Sequence, residues 1–181
     1  PPRSTLFPYT TLFRSTERTA EFERGLSLYD QGIYGAAYSA FERSARMDES
    51  NNDPKVDLLS AKSQLMMGKS SVRIGKPDAE AVMLSYFRKN VPDALAYEAV
   101  MDLGNYYYSK KNYDDAIAFY TMIDPTTLSD EQKSEIRFKQ GYAQFVKKKY
   151  RDAQRSFGDV RNIKNKYYEQ ANSYYGLSAY Y

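Results

Sequence analysis

Between residues 97 and 124 the apolar positions recur with a helical period. Val100, Leu103, Gly104, Tyr107 and Tyr108 fall at i, i+3, i+4, i+7 and i+8, which lays them along one stripe of a helix. After the polar break Lys110-Lys111-Asn112, a second stripe follows in Tyr113, Ala116, Ile117 and Tyr120. The spacing predicts two antiparallel amphipathic helices joined by a tight turn. The prolines respect the same segmentation. Pro1, Pro2 and Pro8 lie near the start, Pro54, Pro77, Pro92 and Pro125 lie between expected helices, and none interrupts a stripe. Asp53 is placed to cap the helix that Pro54 opens, and Ser129 with Gln132 has the spacing of a capping box. No segment of useful length alternates as a strand would. No apolar run approaches the roughly 20 residues of a membrane-spanning helix. The expected fold class is all-α.

A four-point frame repeats along the chain. From Gly104, an aromatic lies nine residues on at Tyr113, an alanine three beyond it at Ala116, and an aromatic four further at Tyr120. The same frame holds for Gly25, Tyr34, Ala37 and Phe41, and for Gly141, Tyr150, Ala153 and Phe157. The gap between Gly25 and Gly104 leaves room for one degenerate unit, with Ala61 in the glycine position and an insertion around "GKSSVRIGKPD"; Gly176 is the next glycine in series. A mid-helix glycine costs about 1 kcal/mol against alanine, so a packing need must offset it. The expectation is that Gly104 and Ala116 let two backbones cross, while Tyr113 and Tyr120 fill the wider gaps beside them.

Composition narrows the chemistry. Tyrosine is unusually common at 19 residues, whereas Cys, His and Trp are absent. Without Cys there is no disulfide framework, thiolate nucleophile or zinc site of the Cys/His type, and without His the commonest general base is missing. The stretch "TLFPYTTLFRS", Thr5 to Ser15, is the in-frame translation of a standard sequencing-library adapter. Residues 1–15 are therefore expected to be a non-native, disordered leader. Taking Arg3 and Arg14 from the 26 basic residues leaves 24 against 23 acidic ones, so the formal charge of +3 becomes +1. The lysine run 147–149 and the stretch 161–168 then read as solvated turns, and no nucleic-acid partner is expected. The paired acids Asp114 and Asp115 are about 100 degrees apart on a helix and do not converge on one substrate. No phosphate loop or nucleophile elbow appears. The chain is expected not to be an enzyme and to need no cofactor or metal.

The residues "LGNYYYSKKNYDDAIAFY", 103–120, resemble the tetratricopeptide repeat, a helix-turn-helix of about 34 residues whose pattern has L-G, then Y, later A and F, then P. The likeness is close for 97–124, good for 135–160, fair for 19–46 and weak for 54–89; Val100 replaces the usual tryptophan, and Arg24 and Gln140 replace the leucine before the glycine. The resemblance implies an α-solenoid of antiparallel helix pairs in a right-handed superhelix. Its units would be about 16–48, 53–90, 93–124 and 128–162, with an unpaired helix at 166–181 and further repeats of the parent chain after Tyr181. The stretch 86–120 further resembles the arrays of bacterial envelope proteins of the Tol-Pal coordinator and outer-membrane assembly lipoprotein type. That implies the N-terminal part of a longer protein-binding scaffold in the periplasm or cell envelope. A sensory or regulatory module, cytoplasmic and joined to a signalling output domain, is the alternative.

In this family the first helices of successive repeats line a concave groove that takes an extended peptide or a helix. The resemblance carries that role to Met101, Asn105, Tyr108 and Ser109, then to Phe138, Tyr142 and Phe145. The family's clamp for a C-terminal carboxylate uses lysines and asparagines, of which only Asn105 fits the pattern here, so clamping is not expected. The terminal stretch "NSYYGLSAYY" has no charge after Glu169, and Tyr174, Tyr175, Tyr180 and Tyr181 are expected to be exposed.

Overall fold

The computed structural model describes residues 7–46 and 54–181, with side chains from 16–46 and 58–181. Every regular element among them is helical: α1 (Phe7–Asp30), α2 (Tyr34–Arg46), α3 (Pro54–Ile74), α4 (Ala79–Asn90), α5 (Ala94–Ser109), α6 (Tyr113–Thr121), α7 (Asp130–Val146), α8 (Tyr150–Gly158) and α9 (Tyr168–Tyr180), plus a short 3-10 turn at Pro125–Thr127. The chain divides into two compact units, residues 1–90 with α1 to α4 and residues 91–181 with α5 to α9.

Each unit is built from helix pairs whose turns are alike. Gly32, Gly75, Lys111 and Lys148 sit in the left-handed region at φ 76°, 80°, 59° and 59°. The next residue then donates its amide across the helix end: Ile33 to Leu28 at 2.9 Å, Lys76 to Ser71 at 3.0 Å, Asn112 to Tyr107 at 3.0 Å and Lys149 to Gln144 at 2.8 Å. This is the Schellman cap, which satisfies carbonyls left over at a helix end and turns the chain back on itself. Two of the four turns use lysine where glycine would cost nothing sterically. At the opposite ends, Asp93 accepts from the amide of Leu95 at 2.8 Å to cap α5. Ser129 and Gln132 form the expected capping box on α7. Asp53 lies outside the described residues.

Antiparallel pairing brings each mid-helix glycine to a ring on the partner helix. A Cβ at Gly104 would lie 2.5 Å from the Tyr120 ring, one at Gly25 2.6 Å from Phe41, and one at Gly141 2.8 Å from Phe157. All three distances are shorter than real carbon contacts, so only glycine lets the ring seat. The neighbour that requires Gly104 is therefore the Tyr120 ring, where the spacing suggested Ala116. A second ring contact spans each of these turns edge-on: Tyr29–Tyr34 at 5.1 Å, Tyr108–Tyr113 at 5.8 Å and Phe145–Tyr150 at 5.4 Å.

The α3–α4 pair corrects the expected frame. Its glycine is Gly68, whose Cβ would collide with the side chain of Met83, and not Ala61. "GKSSVR" is no insertion, because α3 runs unbroken through it to Ile74. The Tyr86 hydroxyl donates to the Ala61 carbonyl at 3.2 Å. Ala79 and Met83 keep the alanine-to-ring interval, but Ala79 follows its glycine one residue sooner than Ala116 follows Gly104. A shortened turn and a methionine in the ring position together hid the unit.

Of the expected leader, residues 7–15 are the first turns of α1, and residues 1–6 lie outside the described residues. Once a helix is nucleated, each added residue gains one hydrogen bond, so α1 extends past the frame. Within residues 1–90 the buried Arg18 then ties three helices. Its Nε donates to the Ser44 carbonyl at 2.9 Å, Ser44 Oγ donates back to the Arg18 carbonyl at 3.1 Å, and Ser63 Oγ donates to Ser44 Oγ at 3.0 Å.

Two experiments follow from this packing. Gly104→Ala should lower the urea-unfolding free energy by about 1–2 kcal/mol, because displacing a packed ring costs more than the helix propensity gained. Gly176→Ala, in mid-helix where a Cβ meets nothing within 4 Å, should raise it by about 0.5–1 kcal/mol. Lys111→Gly and Lys148→Gly should each raise stability by roughly 0.5–1 kcal/mol in the same assay by relieving the left-handed strain, whereas Gly32→Ala should lower it.

Candidate functional site

Within residues 91–181 the first helices of the pairs, α5 and α7, are followed by α9. One ring or more from each of these helices joins a connected run. Tyr108 of α5 meets Tyr142 of α7 at 6.1 Å. Tyr142 meets Tyr174 of α9 at 5.5 Å, and Phe145 meets the same Tyr174 at 5.3 Å. All are edge-on contacts, with interplanar angles of 63°, 89° and 72°, the geometry that sets a ring's positive edge against a neighbour's negative face. Tyr113 at the start of α6 closes the cluster, 5.8 Å from Tyr108 and 6.2 Å from Tyr142. Tyr108, Tyr142, Phe145 and Tyr174 are all half-buried.

Phe138 behaves differently from its neighbours. It is 8% exposed and belongs to the core with Ala153, Phe157, Val160 and Ala171, stacked on Tyr167 at 5.1 Å. Of the residues expected along the groove it is therefore the most deeply covered. Tyr174 departs in the opposite direction. The expectation of exposure fails because its ring stacks on Phe157 at 5.5 Å and 20°. Tyr175 is also half-buried, with the Arg161 guanidinium 4.2 Å from its ring centre. Tyr180 and Tyr181 are 85% and 69% exposed, as expected.

The polar candidates divide similarly. Asn105 is the centre of a cluster in which its Oδ1 accepts from the Tyr120 hydroxyl at 2.9 Å and from Lys139 Nζ at 2.8 Å. Lys139 also donates to Glu135 Oε1 at 2.5 Å and stands 5.9 Å from the Tyr108 ring. The ammonium already has a carboxylate partner one helical turn away. Ser109 is exposed and returns its hydroxyl to the Tyr106 carbonyl at 2.7 Å, and Met101 is half-buried. Lys139 and Tyr174 were missed from sequence; each stands two residues before its helix's frame glycine, a register that the three-before and one-after positions did not include.

The remaining chemistry is spent on structure. Lys147 Nζ donates to Asp114 Oδ2 at 2.6 Å, which holds that carboxyl below the usual range, and Asp115 accepts from Asn112 at 2.6 Å. Gln140, in the place of the family's leucine, is buried and donates to Thr121 Oγ1 at 3.1 Å while accepting from Arg137 at 2.7 Å. Among the described residues no group of three or more acidic side chains is arranged to hold a metal ion, and no helix is long and apolar enough to cross a membrane.

The glycine–ring pairs and Schellman turns agree with what the comparison with known families finds. Residues 65–127 match the family model of the tetratricopeptide repeat. Over that span the chain is similar to the tetratricopeptide repeat. The matched span runs from the second half of α3 through α6 and so includes the Gly68–Met83 pair as well as Gly104–Tyr120. No curated protein resembles the chain closely enough to count as a relative. Tetratricopeptide repeats are as a class non-catalytic scaffolds that bind other proteins.

Burial also shifts the tyrosine hydroxyls. That of Tyr108 is pushed up from 10.0 to about 12, first by burial and then by the phenols of Tyr113, Tyr142 and Tyr174. Tyr120 is raised further, again chiefly by burial, and Tyr167 and Tyr174 move the same way. The folded chain therefore holds these protons more tightly than the unfolded one. Their contribution to stability is complete below the unfolded value and is lost as pH rises through the folded ones. Near-ultraviolet absorbance should show a delayed phenol step well after the main one. The melting temperature should fall progressively above about pH 10, and less steeply in Tyr120→Phe.

Proposed function

We propose that residues 91–181 hold an extended peptide or helix of another protein on the face built by α5, α7 and α9. The observation that carries this reading is the run Tyr108–Tyr142–Tyr174–Phe145, rings on three helices that are half-buried and in mutual contact. Rigid aromatic side chains supply contact area at little entropic cost and dominate the energetics of protein interfaces. Beside the rings, Asn105, Lys139 and Glu135 provide both signs of charge and an amide to orient a peptide backbone. Met101 and Ser109 extend the same helix face as minor contacts.

The proposed setting is a bacterial cell-envelope protein. What supports it is the likeness of residues 86–120 to envelope arrays of this family.

Peptides selected by the full chain from a displayed random library should bind Tyr108→Ala and Tyr142→Ala at least about tenfold more weakly. Tyr180→Ala, at an 85% exposed position outside the run, should bind as well as the parent. Circular dichroism melts serve as the folding control. Unchanged affinity in both variants would remove the proposed face.

A further inference from the structure

In residues 1–90 the pair that departs from the glycine–ring rule also contains a cleft. α2, α3 and α4 enclose about 340 Å³ of open space lined by Gly68 and Met83 themselves, at the small end of the range for ligand sites. In the other pairs the ring partner is Phe41, Tyr120 or Phe157. Here Met83 takes the ring's place, and Met67 and Val82 line the same cleft, with Val82 50% exposed. Methionine lining adapts to the shape of an apolar guest.

The charges at the cleft are distributed unevenly. Lys76, at the α3–α4 turn, and Lys89, in the last turn of α4, both line it. Among the described residues neither is paired with a carboxylate. The Lys76 ammonium instead sits 3.4 Å from the centre of the Tyr38 ring, a π-face standing where an anion would. Asp78 is the only carboxylate in the lining and stands two residues from Lys76, at the turn end. Among the described residues of the lining, the Lys89 end, with Asn90 beside it, presents a cation and no acid. Asn90 Nδ2 donates to the Tyr86 carbonyl at 2.7 Å, which uses one of its two hydrogens. Ala79, Val82, Met83, Tyr86, Lys89 and Asn90 form one stripe of α4 that leads from the apolar floor to this positive end.

We propose that this cleft binds an aliphatic carboxylate, its chain against Met67, Val82 and Met83 and its head on Lys89. The site is independent of the peptide face on residues 91–181. Decanoate, below its micelle-forming concentration, is the probe, added to the full chain carrying 13C-methyl methionine. The Met67 and Met83 methyl signals should shift saturably, and Met101 and Met122 should not. Decanol, with the same chain and no charge, should bind about tenfold more weakly, and Lys89→Gln should bring decanoate down to that level. Met83→Phe restores the ring that three other pairs use; it should melt no lower than the parent and lose the decanoate response. Equal decanoate affinity in Lys89→Gln and the parent, retained binding in a folded Met83→Phe, or shifts spread over all the methionines would each overturn the proposal.

Discussion

A ring seated on a glycine is the contact on which the helix pairs depend. The trade is favourable by a clear margin. A glycine in mid-helix costs about 1 kcal/mol, whereas removing a buried aromatic side chain typically costs about 3–5 kcal/mol. The ring can be realised only if the second helix returns at a fixed depth and register, and that is set by the four Schellman turns. The left-handed residues Gly32, Gly75, Lys111 and Lys148 and the seats at Gly25, Gly68, Gly104 and Gly141 are therefore one device. At Lys111 and Lys148 the strain of a side chain in the left-handed region, of about 1–2 kcal/mol, is carried because a ring seat lies behind it. Each pair thus tolerates one imperfect element as long as the other is met.

Where sequence reasoning succeeded, the signal was steric and of fixed spacing. Gly25, Gly104 and Gly141 each had an aromatic sixteen residues on, and the structure places each ring on its glycine. The α3–α4 pair escaped for two physical reasons that compounded each other. Its turn is one residue shorter, and Met83 fills by flexibility what the others fill with a rigid plane. Burial depth was not legible at all. Periodicity puts Phe138 and Tyr142 near one face of α7, but only the packed structure shows Phe138 covered by Phe157, Tyr167 and Tyr174 while Tyr142 stays half-exposed. Tyr174 illustrates the converse. A helix without a second helix beside it was expected to leave its rings bare, yet α8 alone offers Phe157 as a stacking partner.

The rings of residues 91–181 serve two purposes that constrain each other. Tyr142 contacts Tyr108, Tyr113 and Tyr174 and so ties α5, α6, α7 and α9 together. A partner bound on that face would touch side chains already held by neighbours, which reduces the entropy lost on binding. The same arrangement means that stability and recognition draw on the same atoms. Phe138, buried beneath, can be conserved in volume without being read by a partner, while Tyr108 and Tyr142 can change recognition only by also changing packing.

Repeat arrays make a defect in one pair affordable, because their stability is close to a sum of local terms and each pair is stabilised mainly by itself and its neighbours. Replacing a ring by Met83 therefore weakens one pair without dissolving the others. That locality determines where a small-molecule site can arise. A cavity of comparable size in a single-core domain would cost several kcal/mol of global stability. Beside Gly68 the lost packing stays within α2, α3 and α4, where the Arg18–Ser44–Ser63 hydrogen bonds fasten α1, α2 and α3 independently of the cleft. The pair that departs from the repeat rule is thus also the pair that lines the cleft.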